Sequence, residues 1–172
     1  MKTLVIHPPD PTTDFLKDIY EDKDWMIVNL ELSRAELRNR IMSCDRIVML
    51  GHGTAIGLIG YGRFVINSSW AYILQDKETV SIWCNADKYA KEYGLRGVCT
   101  GMIISEVDEA EFCNVPATQE EITASNKLFA RAIKNSIDTD SFVKKAKGIY
   151  VGDSPVIKFN RENIFTLNTK AI

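Results

Sequence analysis

The sequence predicts an α/β fold, a three-layer sandwich with a mostly parallel sheet covered by helices on both faces. Three observations carry this. Short apolar runs recur along the chain, and they are continuous rather than alternating, as strands buried on both faces require. Segments with helical spacing and recognisable caps separate them. Finally, 45% of the 172 residues are hydrophobic and 26% charged, enough apolar surface to close one core.

The elements follow in order. Thr3-Leu4-Val5-Ile6 reads as a buried strand stopped by Pro8 and Pro9. Thr12 or Thr13 can cap a helix carrying Phe15, Leu16, Ile19 and Tyr20 on one face. Trp25 to Val28 is a second strand, and Ser33 with Glu36 is a capping box opening a helix with Leu37 and Ile41 inward. Arg46 to Leu50 is a third strand, running into Gly51-His52-Gly53. From Gly57 to Ile66, glycines alternate with apolar and aromatic residues, a β-hairpin or tight loop. Asn67 or Ser68 caps a short helix with Trp70, Ile73 and Leu74. Thr79 to Trp83 is a fourth strand ending at Cys84, and Asp87 to Tyr93 a short helix closed by Gly94 at C′. Gly97 to Met102 begins a fifth strand; Ser105 with Asp108 reads as a further cap. Thr118 with Glu121 is a capping box for a helix bearing Ile122, Phe129, Ile133 and Ile137, and a short helix follows Asp138. Val156 to Phe159 and Ile164 to Leu167 read as short strands.

Charge and cysteine usage narrow the function classes. A net charge of -2 and a pI near 5.7 argue against nucleic acid and anionic membranes as partners. Apolar runs fall short of a membrane span, and the four-residue apolar stretch before His7 and Pro8 is not expected to be a signal peptide. Cys44, Cys84, Cys99 and Cys113 form no CxxC pair, so a cytoplasmic protein without disulfides is expected. His7, His52 and the cysteines have no metal-ligand spacing, so no metal site is expected. From Gly97 to Asn126 there are six acids and no base; from Lys127 onward nine bases face four acids. Solvated helix faces are the ordinary explanation.

Two residues carry chemistry. In an open parallel sheet, functional groups sit beyond the carboxyl ends of the strands. His52 follows the third strand and Cys84 the fourth. If those strands are neighbours, about 4.8 Å apart, the side chains can face one gap. A histidine beside a thiol can take its proton and later protonate a leaving amine. A helix starting after Cys84 would lower the thiol pKa. The amides of Gly53 and Cys84 could hold an oxyanion. Taken singly, Cys84 could equally be a packed core residue and His52 a satisfied loop histidine. His7 also follows a strand end, but Pro8-Pro9 marks a rigid turn there.

The segments IVMLGHG (Ile47 to Gly53) and VSIWCNAD (Val80 to Asp87) resemble the clan CD cysteine peptidases, the group of caspases, metacaspases and gingipains. The resemblance covers roughly residues 1–115. It implies a caspase-like domain with His52 as general base, Cys84 as nucleophile and Gly53 as an oxyanion donor. The expected organisation is one domain over 1–172, its core in 1–115 and a helical and short-strand part in 116–172. The expected function is a cysteine peptidase acting on peptide or protein substrates without a cofactor. Trp83 stands where many members carry a small residue, and could fill a pocket or narrow the cleft. Glu106, Asp108 and Glu109 fall near the carboxyl edge of the sheet, and Glu106 and Asp108 are candidate contacts for a basic substrate side chain. Alternatively Asp108 completes a helix cap and the others face water.

Two other readings stay open. A catalytically inactive caspase-like interaction module would keep the fold and lose the chemistry. A Rossmann-like nucleotide-binding protein would use Gly51, Gly53 and Gly57, but Leu58-Ile59-Gly60 is a poor helix start for that fingerprint. The basic C-terminal region could be a lid, an inhibitory segment or a dimer contact, leaving a homodimer or a regulatory partner open.

Overall fold

The computed structural model describes residues 1–167; the last five residues of the predicted C-terminal part lie outside them. A six-stranded sheet runs β2-β1-β3-β7-β8-β9. It is built from β1 (Thr3–Ile6), β2 (Met26–Val28), β3 (Arg46–Leu50), β7 (Glu78–Ile82), β8 (Arg96–Thr100) and β9 (Ile164–Leu167). All neighbours are parallel except β8 and β9, which run antiparallel. The chain is therefore α/β with a mostly parallel sheet.

Alternate strand residues feed two apolar clusters because successive side chains leave opposite faces. Val5, Val48, Leu50, Val80 and Ile82 pack against the 3-10 helix Pro11–Ile19 and against α5 (Gln119–Lys134), α6 (Phe142–Ile149) and α7 (Pro155–Glu162). Leu4, Ile6, Ile47 and Met49 pack against α1 (Arg34–Met42), α2 (Ala71–Leu74) and α3 (Ala86–Glu92). The continuous apolar runs thus read as strands because both faces are buried.

Between β3 and α2 lies a separate antiparallel sheet of β4 (His52–Thr54), β5 (Gly57–Gly60) and β6 (Arg63–Ile66). The glycines after β3 therefore open a hairpin, not a helix N-terminus of the nucleotide-binding kind. The chain turns out of β3 at Gly51, whose φ of +146° a side chain would resist.

Several local expectations are corrected. The first helix is a 3-10 helix capped by Asp10, whose side chain accepts from the Thr12 amide; neither Thr12 nor Thr13 is its cap. The second strand begins at Met26, which pairs with Leu4; Trp25, just before it, carries the Arg46 guanidinium over its ring at 4.9 Å. Glu106, not Ser105, is the N-cap of α4 (Val107–Phe112), and Asp108 lies in its first turn. Val156 to Phe159 is helical, inside α7: Ser154 accepts from the Ile157 amide, and Pro155 presets the first turn. An apolar run that short does not by itself distinguish strand from helix. Both predicted capping boxes, Ser33 with Glu36 and Thr118 with Glu121, are formed.

Candidate active site at the carboxyl edge of the sheet

Four adjacent parallel strands deliver the candidate residues to one edge. β1 runs out to His7, Asp10 and Thr12, β3 to His52, β7 to Cys84, and β8 to Ser105 and Glu106 and then to Glu109 in the first turn of α4. β3 and β7 are direct neighbours, with Leu50 opposite Ile82. His52 and Cys84 each lie two residues beyond that last pair. The adjacency that a shared gap requires is therefore present.

His52 is about one-third exposed and leans toward β1. Its Nε2 lies 2.6 Å from Thr12 Oγ1, with Glu106 Oε2 at 3.9 Å and Asp10 Oδ2 at 4.0 Å. Thr12 donates its amide and its hydroxyl to Asp10 Oδ1, at 2.9 and 2.7 Å. These hydrogen bonds hold the Asp10 carboxyl below its usual range. Glu106 is pushed upward, by partial burial and then by the Glu109 charge.

Cys84 faces β8. Its thiol donates to the Ile103 carbonyl at 3.3 Å and lies 3.4 Å from Glu109 Oε2. Ser105 donates its hydroxyl to the other oxygen of Glu109 at 2.9 Å, fixing that carboxylate. Burial, and then the Glu109 charge, push the thiol up to about 12. This overturns the expectation of a thiol activated by a helix start. Asn85, left-handed at φ +65°, separates Cys84 from α3. His52 and Cys84 are thus brought to neighbouring strand ends, yet each is held by partners of its own.

The remaining predicted residues fall into two groups. Glu106 and Asp108 line a groove of about 500 Å³, together with Thr12 and Phe15 on one wall and Thr123 and Asn126 of α5 on the other. Trp83 does not line it. Trp83 is 2% exposed, donates its indole N–H to the Thr54 carbonyl at 2.9 Å, and fills the space over Gly53. A Cβ at Gly53 would lie 2.2 Å from Trp83 Cδ1, so the glycine is demanded by packing whatever its amide does. His7 is buried against Tyr20 and Thr13, outside the groove. All four cysteines are free, and no His, Cys, Asp and Glu group among the described residues is arranged to hold a metal.

Asp10, Thr12, Ser105 and Glu109 are the members that sequence reasoning did not bring together with the pair. Glu109 was legible as one of three acids after the fifth strand, but its reach to Cys84 depends on how α4 packs. Asp10 and Thr12 had only the strand-end rule to point to them. Neither the family models nor the curated proteins match this chain.

Proposed function

We propose that the protein is a thiol hydrolase, a cysteine peptidase of caspase-like architecture, held at rest with its thiol protonated. The observation that carries this reading is the delivery of His52 and Cys84 to neighbouring strand ends beside an acid-lined groove. The two apolar clusters, one on each face of the sheet, support the three-layer arrangement that goes with it.

In this reading the Cys84 thiol leaves Glu109 and gives its proton to His52. The thiolate attacks a peptide carbonyl, forming a C–S bond, while the amides of Gly53 and Cys84 hold the oxyanion. The C–N bond then breaks, and the amine leaves with the proton from His52. Water hydrolyses the thioester and restores the thiol. Glu106 and Asp108 give one wall of the groove negative charge suited to a lysine or arginine side chain, with Lys127 of α5 on the other wall.

A second reading, an inactive interaction module of the same architecture, is favoured by one observation, the part-buried Cys84 thiol engaged by the Ile103 carbonyl and the Glu109 carboxylate rather than by His52. Alkylation of the protein across pH, with the modified cysteine located by mass spectrometry, separates the two. The hydrolase reading expects Cys84 to react ahead of Cys113, which is part-exposed like it, and His52→Ala to slow it. A Cys84 no faster than Cys113 and indifferent to His52 supports the module. A panel of short peptides with basic or acidic residues before the scissile bond then tests hydrolysis itself.

A further inference from the structure

We propose that Asp10 and Thr12 are positioning residues for His52: a carboxylate–hydroxyl–imidazole relay that fixes the proton of the neutral ring on Nε2 and leaves Nδ1 as the basic nitrogen. The inference rests on the preceding reading only in calling His52 a base; the proton assignment stands on hydrogen-bond inventory alone.

A threonine hydroxyl has one hydrogen to give. Thr12 Oγ1 lies 2.7 Å from Asp10 Oδ1, and an ionised carboxylate only accepts. That carboxyl is held in its ionised form by the Thr12 contacts. The hydroxyl hydrogen is thereby committed to Asp10. At 2.6 Å from His52 Nε2, the same oxygen can then only accept, so Nε2 must carry the proton. The nearest carboxylate oxygens, at 3.9 and 4.0 Å, are beyond hydrogen-bond reach and do not compete for it. They do place negative charge beside the ring, where an imidazolium formed in a reaction would be stabilised. A buried or fixed partner on one ring nitrogen is the usual means by which a protein selects a histidine tautomer.

The chain contains an internal control. Thr13 Oγ1 lies 3.2 Å from the Asp10 carbonyl, to which it donates, and 3.1 Å from His7 Nε2. By the same logic His7 carries its proton on Nε2 and accepts from the Tyr20 hydroxyl at Nδ1, 2.8 Å away. His7 is buried and held neutral, with its pKa lowered to about 4 by desolvation. Its signals therefore report whether the first turn after β1 is intact.

The test is a long-range proton–nitrogen NMR correlation on histidine-labelled protein at pH 8, in the Cys84→Ala background so that no hydrolytic activity is needed. Loss of one set of ring signals in His52→Gln assigns the spectrum. The relay expects His52 almost wholly as the Nε2–H form. Thr12→Val removes the acceptor, and the ring should fall to a mixture containing the Nδ1–H form. Asp10→Ala frees the Thr12 hydrogen to be given to the ring and should move the population the same way. Asp10→Asn keeps an acceptor oxygen for Thr12 and should restore the original form. Thr12 is exposed, so Thr12→Val leaves the core alone; Asp10→Ala also removes the cap of the 3-10 helix, and unchanged His7 signals verify that the turn survives it. An Nδ1–H ring in the parent protein, or a population that ignores Thr12→Val with His7 unaltered, overturns the relay. The hydrolase reading fails separately: if Cys84 in otherwise native protein never alkylates faster than the part-exposed Cys113, that reading falls while the tautomer result stands.

Discussion

The thiol of Cys84 and the carboxylate of Glu109 are the pair on which activity would turn. Both prefer the proton on sulfur, because burial penalises the thiolate and a second negative charge 3.4 Å away penalises it further. Replacing Glu109 by Gln removes the charge and keeps the shape. The thiol pKa then falls from about 12, and at fixed pH below it the thiolate fraction rises about 10-fold for each unit of decrease. Glu109→Gln should therefore speed alkylation of Cys84 at pH 8 by several-fold, read by mass spectrometry, with Cys44 as the unaffected reference. An unchanged rate would show that burial alone restrains the thiol. Gly53 is a second sensitive position. Its replacement by alanine drives a Cβ to 2.2 Å from the Trp83 ring and 2.5 Å from the Gly57 carbonyl oxygen. Overpacking of this kind costs about 1–3 kcal/mol. Thermal unfolding of Gly53→Ala should show it, and any loss of reactivity in that variant cannot then be assigned to its amide.

At the scale of elements, the site depends on pieces that stand outside the main sheet. The β4–β6 hairpin carries His52, and its position is set by the Trp83 indole bonded to Thr54. The 3-10 helix after β1 carries Thr12 and rests on α5. The capping box of α5 anchors the far wall of the groove. Thr118 accepts from the Glu121 amide and Glu121 reaches back to the Thr118 amide, at 3.2 and 2.9 Å. Thr118→Ala should cost about 1 kcal/mol, a loss of roughly 2–4 °C in melting temperature for a domain near this size. A shift below a degree would mean that α5 is held by its buried residues alone.

Across the whole molecule, His7 gives stability a pH dependence. It is 2% exposed, with a folded pKa of about 4 against 6.5 in an unfolded chain. Between those values the unfolded state binds the proton and the folded state does not, so stability is complete above about 6.5 and falls as pH drops toward 4. The full loss amounts to about 3 kcal/mol. Urea unfolding of His52→Gln protein, in which His7 is the one remaining imidazole, should show that decline between pH 6.5 and 4.5. A flat profile there would mean that His7 charges in place. No helix among the described residues is long and apolar enough to cross a membrane.

What the sequence determined by itself is the mostly parallel α/β frame. Continuous apolar runs such as Ile47 to Leu50, and caps such as Ser33 with Glu36, are local signals, and local chemistry decides them. It also determined that His52 and Cys84 follow strands, because each apolar run visibly stops before them. Short apolar segments are harder: Val156 to Phe159 has the composition of a strand, and the local signals that make it a helix, the Ser154 cap and Pro155 in the first turn, lie just upstream of the run. Only the tertiary structure decided what the two reactive groups touch. The order β1-β3-β7-β8 is a long-range pairing that no local pattern encodes, and it brings Thr12 to His52 and Glu109 to Cys84 across 40 and 25 residues. Burial follows from that packing, and burial sets the protonation of the thiol: the residue was legible, its state was not.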